Sequence, residues 1–346
     1  MWIYICFYNN NIKKNKGAMF MNIDELNLLL DKINNPVIGK ALLATFHKLN
    51  YEGYKKVLCS ISGGADSDVI LDLVTKCDNK KIVDYVFFDT GLEYQATKEH
   101  IKFLEEKYNI EIEIMRPKVP IPLSCKRYGQ PFLSKRVSEM ISRLQKHDFK
   151  WEDKPFEELV EEYPNCKSAL MWWCNAYDDK SKFNIKYNKL LKEFLIANPP
   201  SFTISNKCCK YAKKDLAHDK IKQGYDLNIT GVRKAEGGVR ASAYKSCFDT
   251  TDKGYNNYRP IFWFKDSDKS EYNDLFNISN SRCYSEYGLK RTGCCGCPYG
   301  RDCNFELKVL EEYEPKLHKA VSNVFKDAYE YTEKYYEFRN NFKEDK

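Results

Sequence analysis

The sequence predicts an α/β protein: a parallel sheet with helices on both faces, carrying a helical insertion and a Cys-rich C-terminal segment. Three observations lead there. From residue 56 onward, short apolar runs alternate with segments of helical spacing, the pattern of strands joined by crossover helices. The first run leads through a serine- and glycine-rich turn straight into a helix. The chain has 346 residues, 43% of them hydrophobic, with no internal repeat, enough to bury one large domain with additions or two domains.

Residues 22–52 place Leu26, Leu28, Leu29 and Ile33, then Ala41, Leu42, Leu43 and Phe46, at helical intervals, which predicts two helices. The sheet follows, with strands expected at 57–61, 82–88 and 110–115 and helices at 66–77 and 95–108. Between 117 and 202 the pattern loses its alternation. Helices are expected there at 134–146 and 184–197, the second stopped by Pro199 and Pro200, with a loop near 151–155. A strand returns at 226–230 and runs into a segment rich in glycine and arginine. The resulting division is a disordered leader 1–21, a first α/β part 22–116, the insertion 117–202, the remainder of the α/β domain 203–303, and C-terminal helices 304–346. The charged, tyrosine-rich tail reads as a solvated or self-packing helix pair. Met19 or Met21 is a candidate start of the native chain.

The formal charge of +7, from 56 basic and 49 acidic residues, favours anionic ligands but forms no concentrated basic stripe. No run approaches the ~18–20 apolar residues of a membrane span, and the opening MWIYICFY lacks the flanks of a signal peptide, so a cytoplasmic protein is expected. In a reducing compartment 14 cysteines are better explained as metal ligands, reactive thiols and small core residues than as disulfides.

The segment VLCSISGGADSDVILDLV sets SGGADS between a strand and a helix. Free amides and the positive dipole end of a helix attract anions, and Gly63 and Gly64 let a phosphate approach the backbone. Ser60, Ser62 and Ser67 add hydroxyls. Asp66 would cap the helix or reach a phosphate through magnesium. The loop is neither a Walker loop nor a GxGxxG turn. It resembles the SGGxDS loop of the ATP pyrophosphatase superfamily, which includes phosphoadenosine phosphosulfate (PAPS) reductases and sulfur-transfer enzymes of tRNA and DNA. The resemblance implies an adenine nucleotide alpha-hydrolase-like fold that binds ATP or adenylyl sulfate.

Two further segments are similar to the PAPS reductase family. DTGLEYQAT places Asp89, Thr90 and Gly91 at the carboxyl end of a parallel strand, where ligands of open α/β sheets bind. GVRKAEGGVRASAY resembles the family's arginine loop, with Arg233 and Arg240 as forks for phosphate or sulfate oxygens and Gly237 where a serine is common. In PIFWFKDSDKSEY, Trp263, Asp268 and Tyr272 read as structural residues.

NKCCKYAKKD and RTGCCGCPYG carry the remaining signal. In iron–sulfur sulfonucleotide reductases a CC pair and a later CxxC pair hold a [4Fe-4S] cluster, which by resemblance implies Cys208, Cys209, Cys294 and Cys297 as ligands. A closed zinc site is the alternative. Adjacent cysteines ligate together only across an irregular turn, so Cys295 and Cys303 stand as substitutes or as reactive thiols for sulfur transfer. No cysteine follows Cys303, where typical reductases carry a nucleophilic one. The expected activity is therefore ATP pyrophosphatase-type activation of an acceptor for thiolation. The alternatives are a true reductase forming sulfite and a non-catalytic zinc-knuckle module binding nucleic acid. A sulfur-donor protein or thioredoxin-like reductant, and a nucleic-acid acceptor, are the expected partners.

Overall fold

The computed structural model describes residues 21–237, 243–252 and 254–344; Arg240 and all of the leader but Met21 lie outside them. The chain divides into two compact units, residues 1–88, 95–115 and 217–292, and residues 89–94, 116–216 and 293–346. Residues 203–216 and 293–303, placed with the sheet by the sequence reading, make their contacts in the second unit.

The first unit holds a sheet of six strands, β1 Val57–Ile61, β2 Val83–Phe88, β3 Ile112–Met115, β4 Leu227–Ile229, β5 Phe248–Thr250 and β6 Asn256–Tyr258. Their order is β3-β2-β1-β4-β6-β5, and only the β5–β6 pair is antiparallel. Side chains alternate across a strand, and both faces here are apolar. Val57, Cys59 and Ile61 of β1 join Tyr85, Phe87, Leu227 and Ile229 in one core, which also takes Val69, Leu73 and Val74 of helix α1, Ala65–Cys77, and Ile101 and Leu104 of helix α2, Gln95–Tyr108. Leu58 and Val86 face the other way, onto Ile221 and Tyr225. The two expected N-terminal helices are present at Ile23–Leu30 and Pro36–Tyr51, each opened by an asparagine whose side chain accepts from two backbone amides. Met21 is packed at their start, with its amide on the Lys76 carbonyl at 3.2 Å.

The second unit has its own aromatic core, in which Phe149, Trp151 and Trp173 meet edge-on with centroids 5.4–5.8 Å apart. Two expectations are corrected there. The stretch 184–197 is not one helix: a single turn at Ile185–Tyr187 is separated from helix Leu191–Ala197 by Leu190 at φ +55°. The buried Asn184 carboxamide accepts from the Tyr177 amide and donates to the Tyr177 and Asp178 carbonyls, which fixes a bend that periodicity alone would carry through. The tail is not a self-packing pair but three helices, Cys303–Tyr313, Pro315–Val324 and Lys326–Glu344. Two of its tyrosines are core residues: Tyr331 and Tyr335 are buried, their hydroxyls donating to the Asn198 and Lys189 carbonyls at 2.6 and 2.7 Å, whereas Tyr313 and Tyr336 are exposed. Among the described residues no helix is long and apolar enough to cross a membrane.

Candidate functional site

In the first unit β2 and β4 flank β1 on opposite sides, so the direction of winding reverses at β1 and β4. Such a switch point opens a crevice at the carboxyl ends of the strands. The loop after β1 is the SGGADS turn, and the segment after β4 reaches Arg233. They meet at Gly231, where an added Cβ would stand 3.7 Å from the Asp66 carbonyl and 3.4 Å from Ile70.

Each residue of the turn has a distinct role. Gly63 has φ +66°, and a Cβ there would come within 2.8 Å of the Thr97 methyl on α2. Gly64 is the N-cap of α1 with no side-chain cap, and its φ of −95° is open to any residue. What a Cβ at Gly64 would meet is hydroxyl oxygen, from Thr292 at 3.0 Å, Tyr284 at 3.2 Å and Ser62 at 3.3 Å. The Ser62 amide donates to Ser67 Oγ at 2.9 Å and the Gly64 amide to Ser62 Oγ at 3.4 Å, so the serines hold the turn's shape. Ser60, half-buried on β1, pairs in register with Val86 of β2.

Asp66 does not cap the helix. Its Oδ1 lies 3.0 Å from Arg233 Nε and 3.1 Å from Lys269 Nζ, so two cations already neutralise it. Arg233 is buried and its Nη1 also pairs with Asp266 at 2.9 Å, so the fork expected to face a phosphate is turned to carboxylates. Burial works against the guanidinium's charge, but Asp66 and then Asp266 hold it protonated. Asp268 and Tyr272 are structural, as expected: Asp268 accepts from the Lys265 amide at 2.7 Å and Tyr272 donates to the buried Asp72 at 2.8 Å. Trp263 is 51% exposed with the Lys234 ammonium over its ring, so it is not a core residue.

Asp89, Thr90 and Gly91 follow β2 directly but make their bonds within the second unit. Asp89 accepts from the Gly91 amide at 3.0 Å and pairs with Arg116 at 3.4 Å. Gly91 has φ +88° and packs against Pro120. The Thr90 hydroxyl donates to buried Glu93 at 2.7 Å and lies 3.7 Å from the Cys294 sulfur. The Cys295 amide and thiol both donate to the Leu92 carbonyl, at 2.9 and 3.0 Å. This short segment is thus a brace for the second cysteine group.

Cys208, Cys209, Cys294, Cys295, Cys297 and Cys303 lie in the same unit, and all described cysteines are free thiols. Cys208 and Cys209 end a short turn, Lys207–Cys209, that widens into a π-helical turn at Lys210–Lys214, the irregularity that adjacent ligands require. The Cys208 thiol is pushed up by its hydrogen bond with Cys125 and by burial, against an opposing bond with Cys209. Burial raises Cys294, partly offset by Lys213. Lys213 bonds Cys294; burial opposes its charge, yet Cys294 and Glu93 hold it protonated. Gly296, at φ +58°, is clamped from the tail: a Cβ would stand 2.8 Å from the Tyr329 hydroxyl, which donates to the Gly296 carbonyl.

A [4Fe-4S] cluster fits this chemistry. Several half-buried thiols share one unit; burial raises Cys297 as it does Cys294, and the Tyr299 amide bonded to Cys297 and the Lys213 cation beside Cys294 offset it in part. Among the described residues no three of His, Cys, Asp or Glu are gathered around a point that a metal ion could take. Burial also raises the two thiols expected to be reactive. Cys295 is fully buried, which drives its thiol well above the ordinary range, and burial pushes Cys303 up to about 12.

Glu306, one turn beyond Cys303, gives a pH test. Burial, then Asp302, raises its carboxyl from the ordinary 4.5 to about 7. The folded state therefore binds this proton more tightly than the unfolded one. Its contribution is full below 4.5, falls as pH rises towards 7, and is gone above it. Glu306→Gln is expected to gain stability relative to the parent by about 1 kcal/mol between pH 4.5 and pH 8, the shift being discounted for partial exposure. Urea unfolding at both pH values measures it, and equal differences at the two would reject the assignment.

Sequence reasoning missed Tyr284, Thr292 and Lys269 at the turn, and Cys125, Glu93 and Tyr329 around the cysteines. Only Thr292 carried a signal, standing two residues before the CxxC group. The fold and the turn define an α/β protein with a mostly parallel sheet and a glycine turn at its switch point. Residues 56–167, about a third of the chain, match the phosphoadenosine phosphosulfate reductase domain.

An uncharacterized protein of Methanocaldococcus jannaschii is 26% identical over 340 residues, covering 95% of this chain and 54% of that protein. Adenosine 5'-phosphosulfate reductase 2 of Bacillus subtilis is 33% identical over 84 residues, covering 24% of this chain and 35% of that protein. The chain thus spans about half, or a third, of the length of these relatives. The phosphoadenylyl-sulfate reductase of Candida auris, solved with phosphate, matches with 14% identity and a TM-score of 0.40, covering 80% of this chain and 98% of that one.

Proposed function

We propose that this chain binds ATP or adenylyl sulfate at the SGGADS turn and catalyses sulfur transfer, by adenylating an acceptor oxygen that a sulfur nucleophile then displaces. The observation that carries the reading is the turn itself: a side-chain-free helix start at the switch point of a parallel sheet, ringed by hydroxyls. In the first step the acceptor oxygen attacks the α-phosphorus of ATP and pyrophosphate leaves with its electron pair. In the second, sulfur takes the oxygen's place and AMP departs. The amides at the start of α1 would hold the phosphates, helped by Ser62 and by magnesium, while the latch of Asp66 with Arg233 and Lys269 fixes the floor of the crevice. Arg240 belongs to the same proposal as a phosphate ligand. Asp89, Thr90 and Gly91 would present the cysteine group rather than grip the nucleotide, in keeping with their bonds to Cys294 and to the segment ahead of it.

Cys208, Cys209, Cys294 and Cys297 would hold a [4Fe-4S] cluster, which when bound supplies a redox-active, sulfur-binding centre. Lys213 and the Tyr299 amide would balance its thiolates. A sulfur-donor protein or thioredoxin-like reductant and a nucleic-acid acceptor complete the scheme. The similarity to an adenosine 5'-phosphosulfate reductase over 84 residues favours reduction of adenylyl sulfate as the second reading.

Anaerobically purified protein separates the two. Exchange of labelled pyrophosphate into ATP, with no sulfite from adenylyl sulfate, is the expected result. Sulfite release without exchange would replace it with the reductase. Zinc in place of iron, with neither activity, would leave only a binding module.

A further inference from the structure

The turn has a third wall that the SGGADS pattern does not contain. Tyr284 lies on a four-residue helix, Arg282–Ser285, and two bonds fix that helix against α2. The Ser281 hydroxyl donates to the Ala96 carbonyl at 3.3 Å, and the Cys283 sulfur lies 3.6 Å from the Thr97 hydroxyl. Thr97 is also the residue whose methyl group fills the space beside Gly63. The helix that shapes the glycine turn therefore also sets the position of Tyr284.

From there the phenol reaches the backbone. Its oxygen accepts the Ala65 amide, the first residue of α1, at 3.1 Å, and lies 3.1 Å from Thr292 Oγ1. With an amide proton aimed at it, the phenol's own proton is left for Thr292 or for a ligand. The half-buried ring keeps that proton, since burial raises its titration. An uncharged hydroxyl is a poor acceptor for an amide at a helix start beside a polyphosphate oxygen, which offers full charge to the same N–H.

We propose that the Tyr284 hydroxyl, backed by Thr292, is a ligand of the nucleotide's polyphosphate. In the free protein it accepts the Ala65 amide; with nucleotide bound, that amide turns to a phosphate oxygen and the phenol donates to the same anion. This rests on the reading of the turn as a phosphate site and adds a residue far off in sequence, 217 positions after Ser67. The bare phosphate chain, not the base, is what Tyr284 recognises.

The test uses the full chain and calorimetric titration with ATP, inorganic tripolyphosphate and adenosine. Tyr284→Phe keeps the ring and removes the hydroxyl. It is expected to weaken ATP and tripolyphosphate about tenfold, the effect of one hydrogen bond to a charged group, with adenosine binding and melting temperature unchanged. Thr292→Val is expected to weaken the same two ligands a few-fold, and it carries the test if Tyr284→Phe melts early. Tripolyphosphate affinity within twofold of wild type, or tighter, would reduce Tyr284 to a helix cap and overturn the proposal. Equal loss for adenosine would do the same. Should wild type bind neither ATP nor tripolyphosphate, the phosphate site itself would fall, an outcome distinct from wild-type binding that the variant leaves intact.

Discussion

Gly64→Val is expected to abolish ATP binding, by 100-fold or more, while the protein still folds. The backbone at Gly64 is in an ordinary extended conformation, so a side chain there incurs no dihedral strain. Its Cβ would instead enter the ring of Ser62, Tyr284 and Thr292 hydroxyls at 3.0–3.3 Å, with two methyl groups beyond it. Those hydroxyls can swing aside, but the space a phosphate needs is then filled by hydrocarbon. Gly63→Ala is the matched control and has the opposite signature. Its φ of +66° and the 2.8 Å approach to Thr97 make it a stability lesion, worth roughly 1–3 kcal/mol. Calorimetric titration beside urea unfolding separates the two effects. Full-strength ATP binding by Gly64→Val would rule the turn out as the phosphate site.

The second large effect is on metal. Cys297→Ser is expected to reduce iron, after anaerobic reconstitution, from ~4 atoms per chain to near zero, because serine offers a hard, protonated oxygen in place of a thiolate. Cys297 is the useful choice because its loop is the most constrained of the group. Gly296 before it takes a positive φ under the Tyr329 hydroxyl, and the Gly300 amide donates to the Cys297 carbonyl at 2.7 Å. The serine variant keeps that backbone, so ATP binding at the turn in the first unit should persist. Cys125→Ser serves as comparison. That thiol bonds Cys208 but lies outside the expected ligand set, and its loss should leave most of the iron. Full iron in Cys297→Ser, or its loss in Cys125→Ser alone, would redraw the ligand set.

The sheet was legible because its strands are buried on both faces. The runs 57–61 and 82–88 are apolar apart from Ser60 and Asp84, and Gln95–Tyr108 matches the expected helix to the residue. The SGGADS turn was legible because the chemistry is local: glycine conformation, serine hydroxyls and a helix start lie within six residues. The stretch 184–197 was misread because Asn184, a polar residue, is buried to bond the 177–178 carbonyls, a choice that helical spacing does not encode.

The sequence by itself determined the alternation of strands and helices from 57 to 115, the strand that returns near 226–230, the glycine turn and the grouping of the cysteines, since each depends on neighbours a few residues apart. Only the tertiary structure decided that Asp66 is latched by Arg233 and Lys269, that Tyr284 and Thr292 stand over Gly64, and that residues 89–94 bond the second cysteine group. Most of those contacts join positions more than 200 residues apart, and Coulomb attraction and hydrogen bonding act on distance in space, on which spacing along the chain is silent.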